Sequence, residues 1–254
     1  ARGDRRVWLW ILLGLLPLAT AGAVWWMNRP EEVAPQETPA TSTSDAPAPT
    51  TETESPEPPF EVPELEESDP VIRGLVQGLS SHPRLASWLA TDDLVRRFVG
   101  SVVNITEGVS PRSHLQMVAP AEPFSVRREP GSVVPSDRSY ARYDTVADVV
   151  SSLDVEGTVE LYERLEPVID EAFSELGYPG RSFDHILIEA MDHLLATPIP
   201  DGEPELVETV AGYRYADPEL ESLSSAQKQL LRAGPDNARR ILTTLRALRR
   251  ELGN

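Results

Sequence analysis

The chain has no cysteine among its 254 residues. That excludes a disulfide framework, a thiolate zinc site, a cysteine nucleophile and a cysteine-linked lipid anchor. Positive charge is scarce: 23 Lys and Arg face 41 Asp and Glu, a formal net charge of -18. So negative a body repels phosphate and lacks the cations whose counterion release drives nucleic-acid binding. Nucleic acid is thereby excluded as a partner, and the overall acidity suits a cationic one. Also missing are a Gly-x-Ser-x-Gly nucleophile elbow, a glycine loop to cradle phosphate and a dinucleotide-binding fingerprint. The sequence shows no internal repeat.

What is present divides the chain by composition. Residues 1–27 carry about +2, residues 28–63 about -7 and residues 64–254 about -13. Val7 to Met27 is uncharged. As a helix it would span about 31 Å, the thickness of a bilayer's hydrocarbon core. Trp8 and Trp10 stand near one end and Trp25 and Trp26 at the other, as interfacial aromatic belts do. Arg2, Arg5 and Arg6 precede the run, whereas Arg29 alone follows it before Glu31 and Glu32. The positive-inside rule therefore predicts a single-pass transmembrane helix over 7–27, with residues 1–6 cytoplasmic and the remainder exported to the periplasm of a bacterial inner membrane. Pro17 is compatible with a span, because freed carbonyls are re-satisfied locally in membrane helices. A cleavable signal peptide is the competing reading, with Ala19-Thr20-Ala21 or Ala21-Gly22-Ala23 as the small-residue cleavage site.

Residues 28–63 turn to Pro, Thr, Ser, Ala and Glu, with almost no large apolar residue before Phe60. Such a stretch buries too little to offset its ordering entropy and is expected to be a disordered tether.

Residues 64–254 read as a mainly α domain of several helices with one small β-hairpin. Ser68-Asp69-Pro70 opens a helix, and Leu85 to Val103 holds two more around a new N-cap at Thr91-Asp92. Prolines at 111, 120, 123, 130 and 135 exclude long helices. Within that stretch, Phe124 to Val126 and Ser132 to Val134 flank a Glu-Pro-Gly turn, the predicted hairpin. Helical spacing resumes over 143–153, 155–165, 168–176 and 183–195. Asp217-Pro218 opens a short helix, Ser224 to Gln227 has capping-box spacing, and Gly234-Pro235 breaks the chain. Ile241, Leu245, Leu248 and Leu252 form the apolar stripe of a last amphipathic helix.

Several clusters of polar residues are candidates for chemistry. His185, Glu189 and His193 stand at i, i+4 and i+8 on one helix, flanked by Asp184 and Asp192, so the three could meet one ion. The known two-histidine zinc helix instead puts both histidines four apart, and packing or solvation explains these residues more cheaply. Asp92-Asp93 suits helix capping better than glycoside hydrolysis, which needs a partner carboxylate about 5 to 10 Å away. Arg96, Arg97, Arg142, Tyr143 and Asp144 are expected to form a structural network, with a binding site as the alternative. Arg239, Arg246 and Arg250 make a basic face that suits the helix dipole, an acidic partner or lipid headgroups. No catalytic, cofactor-binding or metal-ligating set is assigned.

Arg96-Arg97-Phe98-Val99, Val103-Asn104, Tyr140-Ala-Arg142-Tyr143-Asp144, Glu175 to Gly180, Asp192-His193 to Pro198, and above all Tyr215 to Asn237, together resemble the uncharacterised bacterial family known as domain of unknown function 3014. The resemblance spans about residues 64–252. It implies an envelope protein with an N-terminal membrane segment and carries over no catalytic residue. Anchor, tether and a compact domain without a recognisable catalytic set lead to one expectation: a membrane-tethered periplasmic interaction or scaffold module. Its partner would be an envelope protein or a wall component, and no cofactor is expected. The alternative is an envelope hydrolase of wall polymer whose acids and histidines converge only in three dimensions.

Overall fold

The computed structural model describes residues 60–253. The expected tail, membrane span and signal-cleavage sites, and the tether up to residue 59, lie outside the described residues. Among the described residues no helix is long and apolar enough to cross a membrane.

Phe60 opens the folded part, its ring stacked 4.3 Å from the Arg164 guanidinium. A 3-10 turn at Leu65–Glu67 leads into α1 (Ser68–Gln77), followed by α2 (Pro83–Trp88) and α3 (Leu94–Thr106). The cap of α3 differs from the expected Thr91-Asp92. Asp93 occupies the cap position in the left-handed region (φ 59°) without a side-chain cap bond. Instead Asp69 of α1 accepts from the Asp93 and Leu94 N–H groups at 2.8 and 2.9 Å. Its carboxylate satisfies orphan donors of another helix and fixes α1 to α3.

Two 3-10 turns, Pro111–Ser113 and Gln116–Val118, precede the predicted hairpin of β1 (Val126–Glu129) and β2 (Ser132–Pro135). Gly131 takes φ 88° after Pro130, the conformation a proline-first turn demands of its second central residue. Helices α4 (Asp137–Ala141), α5 (Asp144–Ser151) and α6 (Val155–Ser174) follow. The sequence divides α6 at Pro167, but the helix runs through it. Pro167 and Glu163 are exposed, so the carbonyl that proline leaves free lies on the solvent side of the helix. Buried Leu165, Val168, Ile169, Ala172 and Phe173 hold both sides of the break in line. Helix α7 (Phe183–Leu195) spans the residues expected.

A second hairpin, β3 (Leu206–Thr209) with β4 (Gly212–Tyr215), was not expected from the sequence. It precedes α8 (Pro218–Ser222), α9 (Ser225–Leu231) and α10 (Pro235–Glu251). The capping box of α9 is formed by Ser224 and Gln227 as predicted.

The order helix, hairpin, short helix, helix, long helix therefore occurs twice, in α3-β1-β2-α4-α5-α6 and in α7-β3-β4-α8-α9-α10. After the first helices, counterparts begin at 126 and 206, 132 and 212, 137 and 218, 144 and 225, and 155 and 235, a spacing of about 80 residues. Even the bond that closes each hairpin recurs, Ser136 N–H to Ser125 C=O and Ala216 N–H to Glu205 C=O. The domain thus repeats one order of elements, which the sequence alone does not reveal.

The halves share one core. Val99, Val102 and Val103 of α3 and Val168, Ile169 and Phe173 of α6 interlock with Phe183, Ile186, Leu187 and Ala190 of α7. Leu245 and Leu248 of α10 and Leu252 at its C-cap close it, and Leu242, fully buried beside them, packs with Leu230 and Ala238. Phe173 and Phe183 meet edge to face at 5.5 Å. Helix α1 covers α3 and α6 on the outside of the first half.

Candidate functional site

The residues singled out on α7 do not converge. His185 is exposed and reaches Glu189 at 3.2 Å, and Glu189 also pairs with Arg181. His193 turns to the Ser224 hydroxyl at 2.8 Å. Asp184 accepts from Tyr162, and Asp192 pairs with Arg249 at 3.0 Å. Among the described residues no three His, Asp or Glu side chains are arranged to hold a metal ion. Half-buried Tyr162 is held well above the ordinary tyrosine range, by burial first and by Asp184 second.

Ser224 and His193 form the one side-chain Ser–His hydrogen bond among the described residues. Nucleophilic chemistry also needs a group to orient the histidine, and the neighbouring Asp192 is engaged by Arg249. Ser224 caps α9 by accepting the Gln227 N–H at 3.2 Å, while Gln227 donates to the His193 carbonyl. The pair is a clasp between α7 and α9. Asp93, one of the paired carboxylates, lies 3.8 Å from Arg96.

The expected arginine network separates into parts. Arg96 grips Glu175 through two bonds of 2.7 Å and also reaches Glu66 at 3.0 Å. Those partners raise its pKa, and Arg96 in turn holds the Glu175 carboxyl below the ordinary range. Arg97 donates to the carbonyls of Asp92 and His114. Asp144 accepts from buried Asn237 at 2.8 Å. On α10, Arg239 pairs with Asp236 at 3.1 Å, and Arg246 and Arg250 make no ion pair among the described residues.

Arg142 and Tyr143 belong to a different feature, a cleft of about 890 Å³ between the two halves. One wall comes from the 111–124 loop and α4–α5, the other from β4 and α9. Tyr140, Tyr143, Tyr213, Tyr215 and Phe124 give it aromatic surface. Phe124 and Tyr213 pack at 5.7 Å, joining the loop to the second hairpin. The Arg142 guanidinium lies between the Phe124 and Tyr143 rings, 5.8 and 5.4 Å from their centroids. Its Nε and Nη1 donate to the carbonyls of Ser139 and Glu122. Packed and hydrogen-bonded in this way, it is fixed before any ligand arrives.

Charge in the cleft runs against that of the chain. Arg112, Arg142, Arg214 and Arg232 line it, and none has a carboxylate within 4.0 Å among the described residues. Lys228, the only lysine in the chain, lines it too and pairs with Glu221 at 3.1 Å. Glu221 also accepts the Tyr215 N–H at 2.9 Å; that bond, more than Lys228, keeps its carboxyl below the ordinary range. Burial pushes the Tyr215 phenol up to about 12. The sequence's overall acidity suits a cationic partner, whereas the concave surface gathers Arg112, Arg142, Arg214, Lys228 and Arg232 against the carboxylates of Glu122 and Glu221. Its residues run from Ile105 to Ile241, and no local pattern joins them.

A family model described as "Protein of unknown function (DUF3014)" matches residues 94–249, more than half of the chain. The match begins at the first residue of α3 and ends within α10, so it coincides with the repeated elements and leaves α1 and α2 outside. No curated protein and no solved structure matches the chain.

Proposed function

We propose that this chain, which belongs to that family, is a membrane-tethered binding module of the bacterial envelope that holds an anionic partner in the cleft between its two halves. The uncharged run at 7–27 and the arginines before it support a single-pass anchor with the domain on the periplasmic side. The composition of residues 28–59 supports a long tether. One observation carries the binding reading: four arginines with no carboxylate partner among the described residues, set among five aromatic rings in a large concave surface of an otherwise acidic protein.

The same cleft argues against the hydrolase. Wall-polymer hydrolysis by two carboxylates requires one with a raised pKa to serve as acid. Of the two carboxylates that line the cleft, Glu221 is shifted in the opposite direction and is occupied by Lys228, and Glu122 pairs with Arg138 at 3.0 Å.

Photo-crosslinking in cells tests the proposal. A photoreactive residue at Tyr213, on the cleft rim, is expected to give a discrete adduct in the full-length, chromosomally expressed protein. One at Leu176, exposed and outside the cleft, is expected to give none. Equal labelling at both positions, or none at either, would sink the reading. Protease added to spheroplasts should digest the domain while intact cells protect it; protection in both would refute the periplasmic placement.

A further inference from the structure

Resting on the reading of the cleft as the binding surface, we propose that its occupant is an extended acidic peptide that adds as a strand to the open edge of β4.

Five consecutive residues, Ala211 to Tyr215, line the cleft. Side chains alternate faces along a strand, so a surface that touches all five meets the strand along its edge. Strand β4 pairs only with β3, in a two-stranded sheet. Its far edge therefore has no neighbouring strand among the described residues.

The register shows which backbone groups face that edge. Leu206 opposes Tyr215, Val207 opposes Arg214 and Glu208 opposes Tyr213. The Tyr215 N–H points away from β3, because it donates to Glu221. Outward and inward pairs alternate in an antiparallel ladder, so the N–H and C=O of Tyr213 point outward with it, and they are the free pair at this edge among the described residues, because the Tyr215 carbonyl accepts from Arg214 Nη1 at 3.3 Å. Edge groups of this kind are what an added peptide strand pairs with.

Glu221 shows what the edge accepts. Its carboxylate, part of the cleft lining, binds an outward backbone N–H and the Lys228 ammonium together. A ligand strand carrying carboxylates on alternate residues repeats that arrangement, with Arg214 and Arg232 beside the edge and Arg112 and Arg142 on the opposite wall. The tyrosine and phenylalanine rings provide flat apolar surface for the residues between. The body of the protein repels such a peptide everywhere else, so charge steers it to the cleft. An anionic polysaccharide would use the arginines and rings and leave the strand edge unused.

Selection from a phage-displayed library of random peptides of about 12 residues, on the detergent-purified full chain, tests this. The expected peptides are acidic, with carboxylates at alternate positions. For the best of them, made with fluorescein and measured by anisotropy, Arg214→Glu with Arg232→Glu should weaken binding at least about tenfold. Both positions are exposed, and circular dichroism verifies that the variant folds. N-methylation of alternate amides on one edge of the peptide should weaken binding by a similar factor, and on the other edge should change nothing. Selection of neutral or basic peptides, or indifference to methylation on both edges, overturns the proposal. If polygalacturonate binds and no peptide does, the inference fails and the binding-module reading stands. If neither binds, both fail.

Discussion

At the scale of single residues, the seam between the halves depends on three residues in contact, Gly234, Tyr140 and Asn237. Gly234 has φ 87°, and a Cβ placed there would lie 2.6 Å from the Tyr140 ring. A side chain at 234 thus meets both left-handed backbone strain and a clash across the seam. Gly234→Ala is expected to cost at least about 2 kcal/mol in urea unfolding; a cost below about 0.5 kcal/mol would show that the seam yields. Asn237, buried beside it, donates to Asp144 and to the carbonyls of Tyr140 and Ala233. Tyr140 carries an enclosed hydroxyl with no hydrogen-bond partner among the described residues. Removing an unsatisfied buried group is favourable, so Tyr140→Phe should stabilise the fold by about 1 kcal/mol. A loss of that size would instead reveal a partner for the hydroxyl. The Arg96–Glu175 pair gives a pH signature. The folded-state pKa of Glu175 lies below its ordinary value of 4.5. Its contribution is therefore fully present above that value and is lost as pH falls through the folded pKa. Glu175→Gln should flatten the stability curve in that acidic window and leave its shape near neutrality unchanged, as read by unfolding midpoints across pH.

At the scale of elements, legibility follows from how local the determining signal is. The first hairpin could be read because Pro130-Gly131 dictates a turn by itself. The second could not: Val210 and Ala211 form its two-residue loop, and Val210 is fully exposed at a position where sequence reasoning expects Asn, Asp or Gly. The alternation from Leu206 to Tyr215 was the available signal, and it is weak because the hairpin buries only Leu206. Capping shows the same division. The box at Ser224 and Gln227 is local and readable, whereas Asp69 caps a helix 24 and 25 residues ahead, which only the folded chain can show. Pro167 misled in the other direction, because tertiary burial on both sides of α6 outweighs a local helix breaker. Since that proline gives the helix nothing, Pro167→Ala should raise stability by about 1 to 3 kcal/mol. No gain in the urea midpoint would mean that the proline is already relieved by a local distortion of α6.

At the scale of the whole molecule, the repeated order of elements explains both the cleft and its invisibility to sequence reading. Two runs of that order, packed through α3 against α7 and α6 against α10, leave a concavity where the short helices of one face those of the other. Its two walls carry different residues. Tyr215 stands where the first half has Pro135, and Tyr213 where it has Val133, so the second half supplies a strand edge and the first the clamped Arg142. The core is not divided in this way. Val99, Val168 and Phe173 of the first half and Phe183, Ile186 and Ala190 of the second form one cluster. Each half is about 80 residues long, a size at which a single core is marginal, and each would expose its share of that cluster if isolated. Ile186→Ala, which empties a site at the centre, should therefore cost about 2 to 5 kcal/mol. The stronger prediction concerns the halves. Residues 60–180 and residues 181–253, expressed separately, should each show the far-ultraviolet dichroism of a largely unfolded chain and recover helicity on mixing in equal amounts. Cooperative folding of either half alone would mean that it carries a sufficient core of its own, and that the cleft lies between two domains and not within one.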